Sequence, residues 1–81
     1  MSWGISVAGK GSEVGLAIDK AVEQALSWQQ NETTRVIVKQ TSQLMKDFAA
    51  AFPQHVVTLE SSGHVEPEFG NATMTFRVWP V

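Results

Sequence analysis

The fold is decided by two stretches near the end of the chain, Val56-Val57-Thr58-Leu59-Glu60-Ser61-Ser62-Gly63-His64 and Asn71-Ala72-Thr73-Met74-Thr75-Phe76-Arg77-Val78-Trp79. In each stretch the apolar residues recur at a spacing of two, so they share one face of an extended strand. An acidic segment that contains glycine and proline separates the two stretches. This arrangement predicts a β-hairpin with a long acidic loop.

The alternation also predicts which side chains of the hairpin point inward. In the first hairpin strand, expected at about residues 55–61, Val57 and Leu59 face the core. The second hairpin strand is expected at residues 72–79. One of its faces carries Ala72, Met74, Phe76 and Val78, and the other carries Thr73, Thr75, Arg77 and Trp79.

The beginning of the chain predicts a strand followed by a helix. Trp3, Ile5 and Val7 alternate with small residues, as in a half-buried strand. A glycine-containing turn follows, and Ser12 stands where an N-cap residue accepts a hydrogen bond from an early helical amide. The helix is expected to end near residues 28–30 and to bury a stripe formed by Val14, Ile18, Ala21, Val22 and Ala25.

A second helix is predicted from Asn31, an N-cap type of residue, to Pro53. Residues 33–38 are rich in β-branched side chains, which favour a strand locally, so a strand over residues 33–41 is the alternative. One helix is the simpler interpretation because an apolar stripe of helical period continues from Ile37. The stripe consists of Ile37, Leu44, Phe48 and Phe52, with Thr41 and Ala51.

The predicted order of elements is β-α-α-β-β in one domain, residues 1–81. Three strands backed by two helices make an α+β fold, a two-layer sandwich in which the apolar stripes meet in one core. A chain of 81 residues buries only about 60 to 65% of the surface that its unfolded form exposes, so oligomerisation would be a natural source of stability.

Composition excludes several classes of function. The chain has no cysteine, no apolar run long enough to span a membrane and no leader pattern, so we expect a soluble, cytoplasmic protein. The net charge is −2 and the six basic residues are scattered along the chain. Nucleic-acid binding needs a clustered positive face, so it is not expected.

Two local motifs could carry chemistry, and each has a simpler interpretation. The segment Gly9-Lys10-Gly11-Ser12 resembles a phosphate-binding turn, but its glycine spacing fits neither nucleotide motif, and an ordinary turn is favoured. In the acidic loop, His64, Glu66 and Glu68 are potential metal ligands next to Phe69. Alternate residues of an extended segment lie about 6.5 to 7 Å apart, which favours a solvated loop over a metal site.

No combination of residues makes a catalytic signature, and we expect no enzyme activity and no cofactor. The more informative side chains are aromatic. Trp79 is predicted on the sheet face that the helices leave uncovered, where tryptophan would mark a protein interface; packing of Trp79 under the chain terminus is the alternative. The predicted interaction residues are Trp79, Arg77, Thr75, Val56 and Thr58, with Thr73 beside them.

Over nearly its full length, the chain resembles a group of small uncharacterised proteins of actinobacterial phages and prophages. The resemblance is carried by Trp3-Gly4-Ile5-Ser6-Val7 before a glycine-bearing turn, by Gly63-His64 and by Gly70-Asn71. In that group the hairpin loop carries more proline and a second histidine, where this chain has Glu66-Pro67-Glu68-Phe69. The resemblance implies a phage origin and the β-α-α-β-β order, and it brings no activity with it.

These observations lead to three functional hypotheses. The first is a non-enzymatic phage accessory protein that works through contacts with its own copies or with a host or virion protein, in the host cytoplasm or in the virion. The second is an oligomeric binder of a small flavin-like ligand that resembles the dodecins. The third is a nucleic-acid-associated phage protein.

Overall fold

The computed structural model describes residues 2–29, 31–66 and 69–80, and it confirms the α+β fold and the β-α-α-β-β order. The two helices lie in one layer and the antiparallel sheet in the other. The elements are β1 (Ser2–Lys10), α1 (Val14–Ser27), α2 (Glu32–Ala50), β2 (Val56–Glu66) and β3 (Phe69–Val78).

The sheet order is β1-β2-β3, so β2 is central and both of its neighbours are antiparallel to it. The hairpin strands are longer than the alternation predicts, because β2 extends to Glu66 and β3 begins at Phe69, which pairs with it. The prediction of a long loop is therefore wrong. Backbone pairing continues through Gly63 and Gly70, which have no side chain to show the apolar alternation. Pro67 and Glu68 lie outside the described residues.

The core lies between the helices and one face of the sheet. The sheet contributes every second residue of β1 and β2, as predicted, and Val57 and Leu59 are completely buried. Val14 and Ile18 of α1 are also buried, which confirms the first helical stripe. The remaining buried apolar residues of the core cluster are Trp3, Ile5, Val7, Val38, Met45 and Ala49.

Helix α2 confirms the helical interpretation of residues 33–41. The side chain of Asn31 accepts a hydrogen bond from the Thr34 amide at 3.1 Å, so Asn31 is the N-cap as predicted. The buried face is not the predicted one, however. Leu44 and Phe48 of the expected stripe are exposed at the margin of the core. The buried residues of α2 are Thr34, Val38, Ser42, Met45 and Ala49.

The turn before α1 also differs from the prediction, because Ser12 is not the N-cap. The helix begins at Val14 after Glu13, whose side chain makes no capping hydrogen bond. The amides of Gly11, Ser12 and Glu13 instead donate to carbonyl oxygens of His55, Pro53 and Lys10, at 3.0, 3.1 and 2.9 Å. The turn is thereby tied to the start of β2.

Two side-chain contacts hold α1 against α2. The Arg35 guanidinium donates to the carbonyl oxygens of Leu26 and Gln29, at 3.0 and 3.1 Å, and so satisfies acceptors at the end of α1. Lys46 forms an ion pair with Asp19. Among the described residues, no helix is both long and apolar enough to cross a membrane.

Candidate protein interaction surface

One face of the sheet is covered by no helix of the described residues, and we call it the uncovered face. It consists of the side chains that alternate with the core residues along each strand. All but a few of these residues are exposed. From β1 to β3 they are Ser2, Gly4, Ser6, Ala8, Lys10, Val56, Thr58, Glu60, Ser62, His64, Glu66, Phe69, Asn71, Thr73, Thr75 and Arg77, followed by Trp79.

One end of the uncovered face brings together most of the predicted interaction residues. The Trp79 amide donates to the carbonyl oxygen of Val56 at 2.9 Å, so Trp79 continues the pairing of β3 with β2. The guanidinium carbon of Arg77 lies 3.7 Å from the centre of the Trp79 ring, in a cation–π contact. Thr58 pairs directly with Arg77. Trp79 remains 39% exposed and Val56 47% exposed.

The middle of the uncovered face is a shallow depression of about 340 Å³. It forms because Gly4 and Ser6 of β1 are small and leave space beside β2. Two of its hydroxyl groups bond to each other, since the oxygens of Ser62 and Thr73 lie 3.1 Å apart. Thr75, the remaining predicted interaction residue, lines the depression. The depression is therefore a shallow hollow next to the Trp79 end.

The hairpin end of the uncovered face holds the loop candidates. The His64 imidazole and the Glu66 carboxylate are 3.0 Å apart, and the His64 ring lies 6.4 Å from the ring of Phe69. The hydrogen bond and positive charge of His64 hold the pKa of the Glu66 carboxyl below its usual value. Glu68 lies outside the described residues, and residues 2–29, 31–66 and 69–80 contain no group of three potential metal ligands.

The glycine turn that resembles a phosphate site has its amides engaged elsewhere. Phosphate binding at such a turn depends on backbone N–H groups that point at the ligand. Here the amides of Gly11, Ser12 and Glu13 donate to carbonyl oxygens of the protein. The geometry thus supports the ordinary turn that the glycine spacing favours.

A second apolar surface lies along the side of α2 that faces β3, formed by residues that the sequence predicts in the core. The rings of Phe48 and Phe76 stack with centres 5.2 Å apart, and Phe52 lies 5.8 Å from Phe76. Leu44, one turn before Phe48, is 52% exposed, and Phe48 is 42% exposed. We call Leu44, Phe48, Phe52 and Phe76 the apolar ridge. It would have been found by noticing that α2 carries two apolar stripes, only one of which can face the sheet.

The three tryptophans have different environments. Trp3 is buried under the helices, Trp28 is exposed at the end of α1, and Trp79 is on the uncovered face. Trp28 is thus a natural control for Trp79, because both are partly exposed but lie in different layers. Comparison with known proteins found no matching family model, no matching curated protein and no matching solved structure.

Proposed function

We propose that this chain is a non-enzymatic accessory protein, encoded by a phage or prophage, that acts through contacts with other protein chains. One observation carries the proposal: a partly exposed tryptophan, with an arginine stacked on it, lies at the end of an uncovered sheet face. Tryptophan and arginine are enriched among the residues that dominate binding energy at protein interfaces. The phage origin is supported by the sequence resemblance.

The surroundings of Trp79 support a protein partner better than a small ligand. Arg77 already covers one face of the indole, so an aromatic ligand could stack only on the other. The neighbouring Val56 and Thr58 extend the surface as a flat, mildly apolar patch rather than an enclosed pocket. Small-molecule sites are concave and bury most of the ligand. A flat patch beside a shallow hollow fits another protein surface.

The test compares Trp79→Ala with Trp28→Ala, each attached to a resin and exposed to lysate of an actinobacterial host. Trp28 is the matched control because it is the more exposed tryptophan and lies at the end of α1. We expect wild type and Trp28→Ala to retain the same bound protein and Trp79→Ala to lose it, while circular dichroism shows that all three remain folded. Equal retention of the bound protein by both variants would show that Trp79 is not part of the interface.

The same preparations test the two other classes of partner. Flavin binding predicts quenching of tryptophan fluorescence that disappears in Trp79→Ala. Nucleic-acid binding predicts a mobility shift of DNA or RNA that weakens as salt is raised. The proposal expects neither signal, and either one would replace it.

A further inference from the structure

The outer edge of β3 is a free strand edge without the usual protection. β3 is at one side of the sheet, and no other strand in the described part of the chain pairs with its outer edge. Its ten residues pair one to one with β2, so no bulge interrupts it. It contains no lysine or proline, residues that commonly block pairing at sheet edges. Such an edge is a template for another strand.

The hydrogen bonds show which backbone groups of β3 face this edge. The Trp79 amide points at β2, where it bonds to Val56. In an antiparallel strand the direction of the N–H and C=O groups alternates from residue to residue, so every second residue before Trp79 also bonds to β2. The intervening residues point outward, and these are Gly70, Ala72, Met74, Phe76 and Val78.

We propose that the edge of β3 pairs antiparallel with β3 of a second copy of this chain, about a two-fold axis at Met74, to give a continuous six-stranded sheet. The inference rests on the proposed function for its premise that the protein acts by contact with other chains. It deepens that function by naming one partner, the chain itself, and the surface that meets it.

The axis at Met74 lets all the outward-pointing residues pair with one another. Ala72 of one copy lies opposite Phe76 of the other, and Gly70 lies opposite Val78. Each of these pairs matches a small side chain with a large one, so the apolar face of the joined sheet has room for both copies. About ten backbone hydrogen bonds form across the axis.

The same register also gives compatible side-chain pairs on the uncovered face. Arg77 is the only charged residue of β3, and it lies opposite Asn71 of the other copy, so no like charges meet. Phe69, which is exposed in a single chain, meets Trp79 of the other copy at each end of the pair. The cross-strand pairs on this face are Thr73 with Thr75, Asn71 with Arg77, and Phe69 with Trp79.

The helices fit this arrangement as well. Helix α2 contacts both β2 and β3, and it runs in the same direction as β3, with Ile37 near Gly70 and Phe48 against Phe76. Neighbouring strands in a sheet are about 4.8 Å apart. If each copy of α2 lies over the middle of its own β2–β3 pair, the two helices are about 9.6 Å apart, with the axis midway between them. Packed helices lie about 8 to 10 Å apart. The two apolar ridges then face each other across the axis.

The area of the contact reaches the lower limit for a specific interface between two chains. Ten residues of strand extend for about 34 Å, and the smallest dimension of the molecule is 15 Å. The edge is therefore about 500 Å² for each copy, or about 1,000 Å² in total, before the side chains of the apolar ridge are added. Specific interfaces begin at about this size.

The first experiment measures the mass of the full chain by light scattering behind size exclusion, together with two matched variants. Wild type is expected at twice the 8.9 kDa chain mass. In the Ala72→Glu variant the new carboxylate is exposed in the single chain. In the dimer it lies against Phe76 of the second copy. Burial of an unpaired charge is expected to lower the association constant at least about tenfold. Ala8→Glu, at an exposed position on the opposite edge strand, is expected to remain a dimer.

A second experiment tests the register and does not depend on the stability of a charged variant. The chain has no cysteine, so each single cysteine can form only an intermolecular disulfide. Thr73 of one copy and Thr75 of the other form a non-hydrogen-bonded pair with Cα atoms about 4.5 Å apart, so a mixture of Thr73→Cys and Thr75→Cys chains is expected to cross-link under mild oxidation. Two copies of the same variant have these Cα atoms about 8 Å apart, so neither variant is expected to cross-link alone.

The possible outcomes separate this inference from the proposed function. A wild-type monomer at high concentration overturns the β3 dimer, whereas loss of host-protein capture in Trp79→Ala still tests the uncovered face. A dimer that Ala8→Glu dissociates and Ala72→Glu does not would place the contact at β1 and also overturn the inference. A dimer in which either cysteine variant cross-links alone, or in which the mixture of Thr73→Cys and Thr75→Cys chains does not cross-link, would refute the axis at Met74.

Discussion

The fit between Trp3 and Gly63 gives the sharpest prediction about stability. Trp3 and Gly63 pair across β1 and β2, and Trp3 is buried under the helices. A Cβ atom at Gly63 would lie 2.6 Å from the indole nitrogen and 2.6 Å from the carbonyl oxygen of Asn71. Ordinary contacts of a Cβ atom begin near 3.4 Å, so Gly63→Ala must displace the indole by about 0.8 Å.

The cost of that displacement can be estimated. Extra atoms in a packed core lower the free energy of unfolding by about 1 to 3 kcal/mol. Replacing glycine by alanine in a strand raises it by about 0.5 to 1 kcal/mol. From the middle of each range, the net loss in the free energy of unfolding is about 1.2 kcal/mol. For a domain of this size the midpoint of thermal unfolding should fall by about 5 to 10 °C.

The assay is urea unfolding followed by circular dichroism, with Gly4→Ala as the control. Gly4 is exposed on the neighbouring strand, and a Cβ atom there comes no closer than 3.9 Å to another atom, so no loss is expected. In a Trp3→Phe background, Gly63→Ala should cost less, because phenylalanine lacks the indole nitrogen. An unchanged urea midpoint for Gly63→Ala, or an equal cost in both backgrounds, would refute the role of Trp3.

Two further predictions concern charged groups. Arg35→Met removes the hydrogen bonds to the Leu26 and Gln29 carbonyl oxygens, and we expect a loss of about 1 to 2 kcal/mol in urea unfolding; an unchanged midpoint would show that solvent replaces the guanidinium. The Glu66 carboxyl should titrate below its usual pKa of 4.5 in a carbon-detected NMR titration, because His64 bonds to it. Since the pKa is lowered in the folded chain, this contribution to stability is present above pH 4.5 and is lost as the pH falls through the lowered value. A pKa at or above 4.5, or one that His64→Ala leaves unchanged, would contradict this cause.

Features that depend on neighbouring residues could be predicted from the sequence. The alternation of Val57 and Leu59 identified the buried face of β2 because successive strand side chains point to opposite sides. Asn31 marked the beginning of α2 because a capping side chain bonds only a few residues ahead. Trp79 and Arg77 could be assigned to the uncovered face by the same counting, once the helices were expected on one side.

Features that depend on distant residues could not be predicted in this way. The hairpin strands extend through Gly63 and Gly70, which interrupt the apolar alternation although backbone pairing continues to Glu66 and Phe69. Ser12 fits a capping pattern, yet the helix begins after Glu13, and the turn is held by a hydrogen bond from the Ser12 amide to Pro53, more than half the chain away. A local pattern cannot show such a distant contact.

The sequence by itself determined the order of the elements and the two faces of each strand, since these follow from contiguous periodicity. Only the tertiary structure decided which stripe of α2 enters the core. Both Val38 with Met45 and Leu44 with Phe48 recur at helical spacing, and α1 selects between them because it occupies one side of α2. The stripe left over becomes the apolar ridge beside the free edge of β3, where Leu44 and Phe48 stay exposed in the single chain.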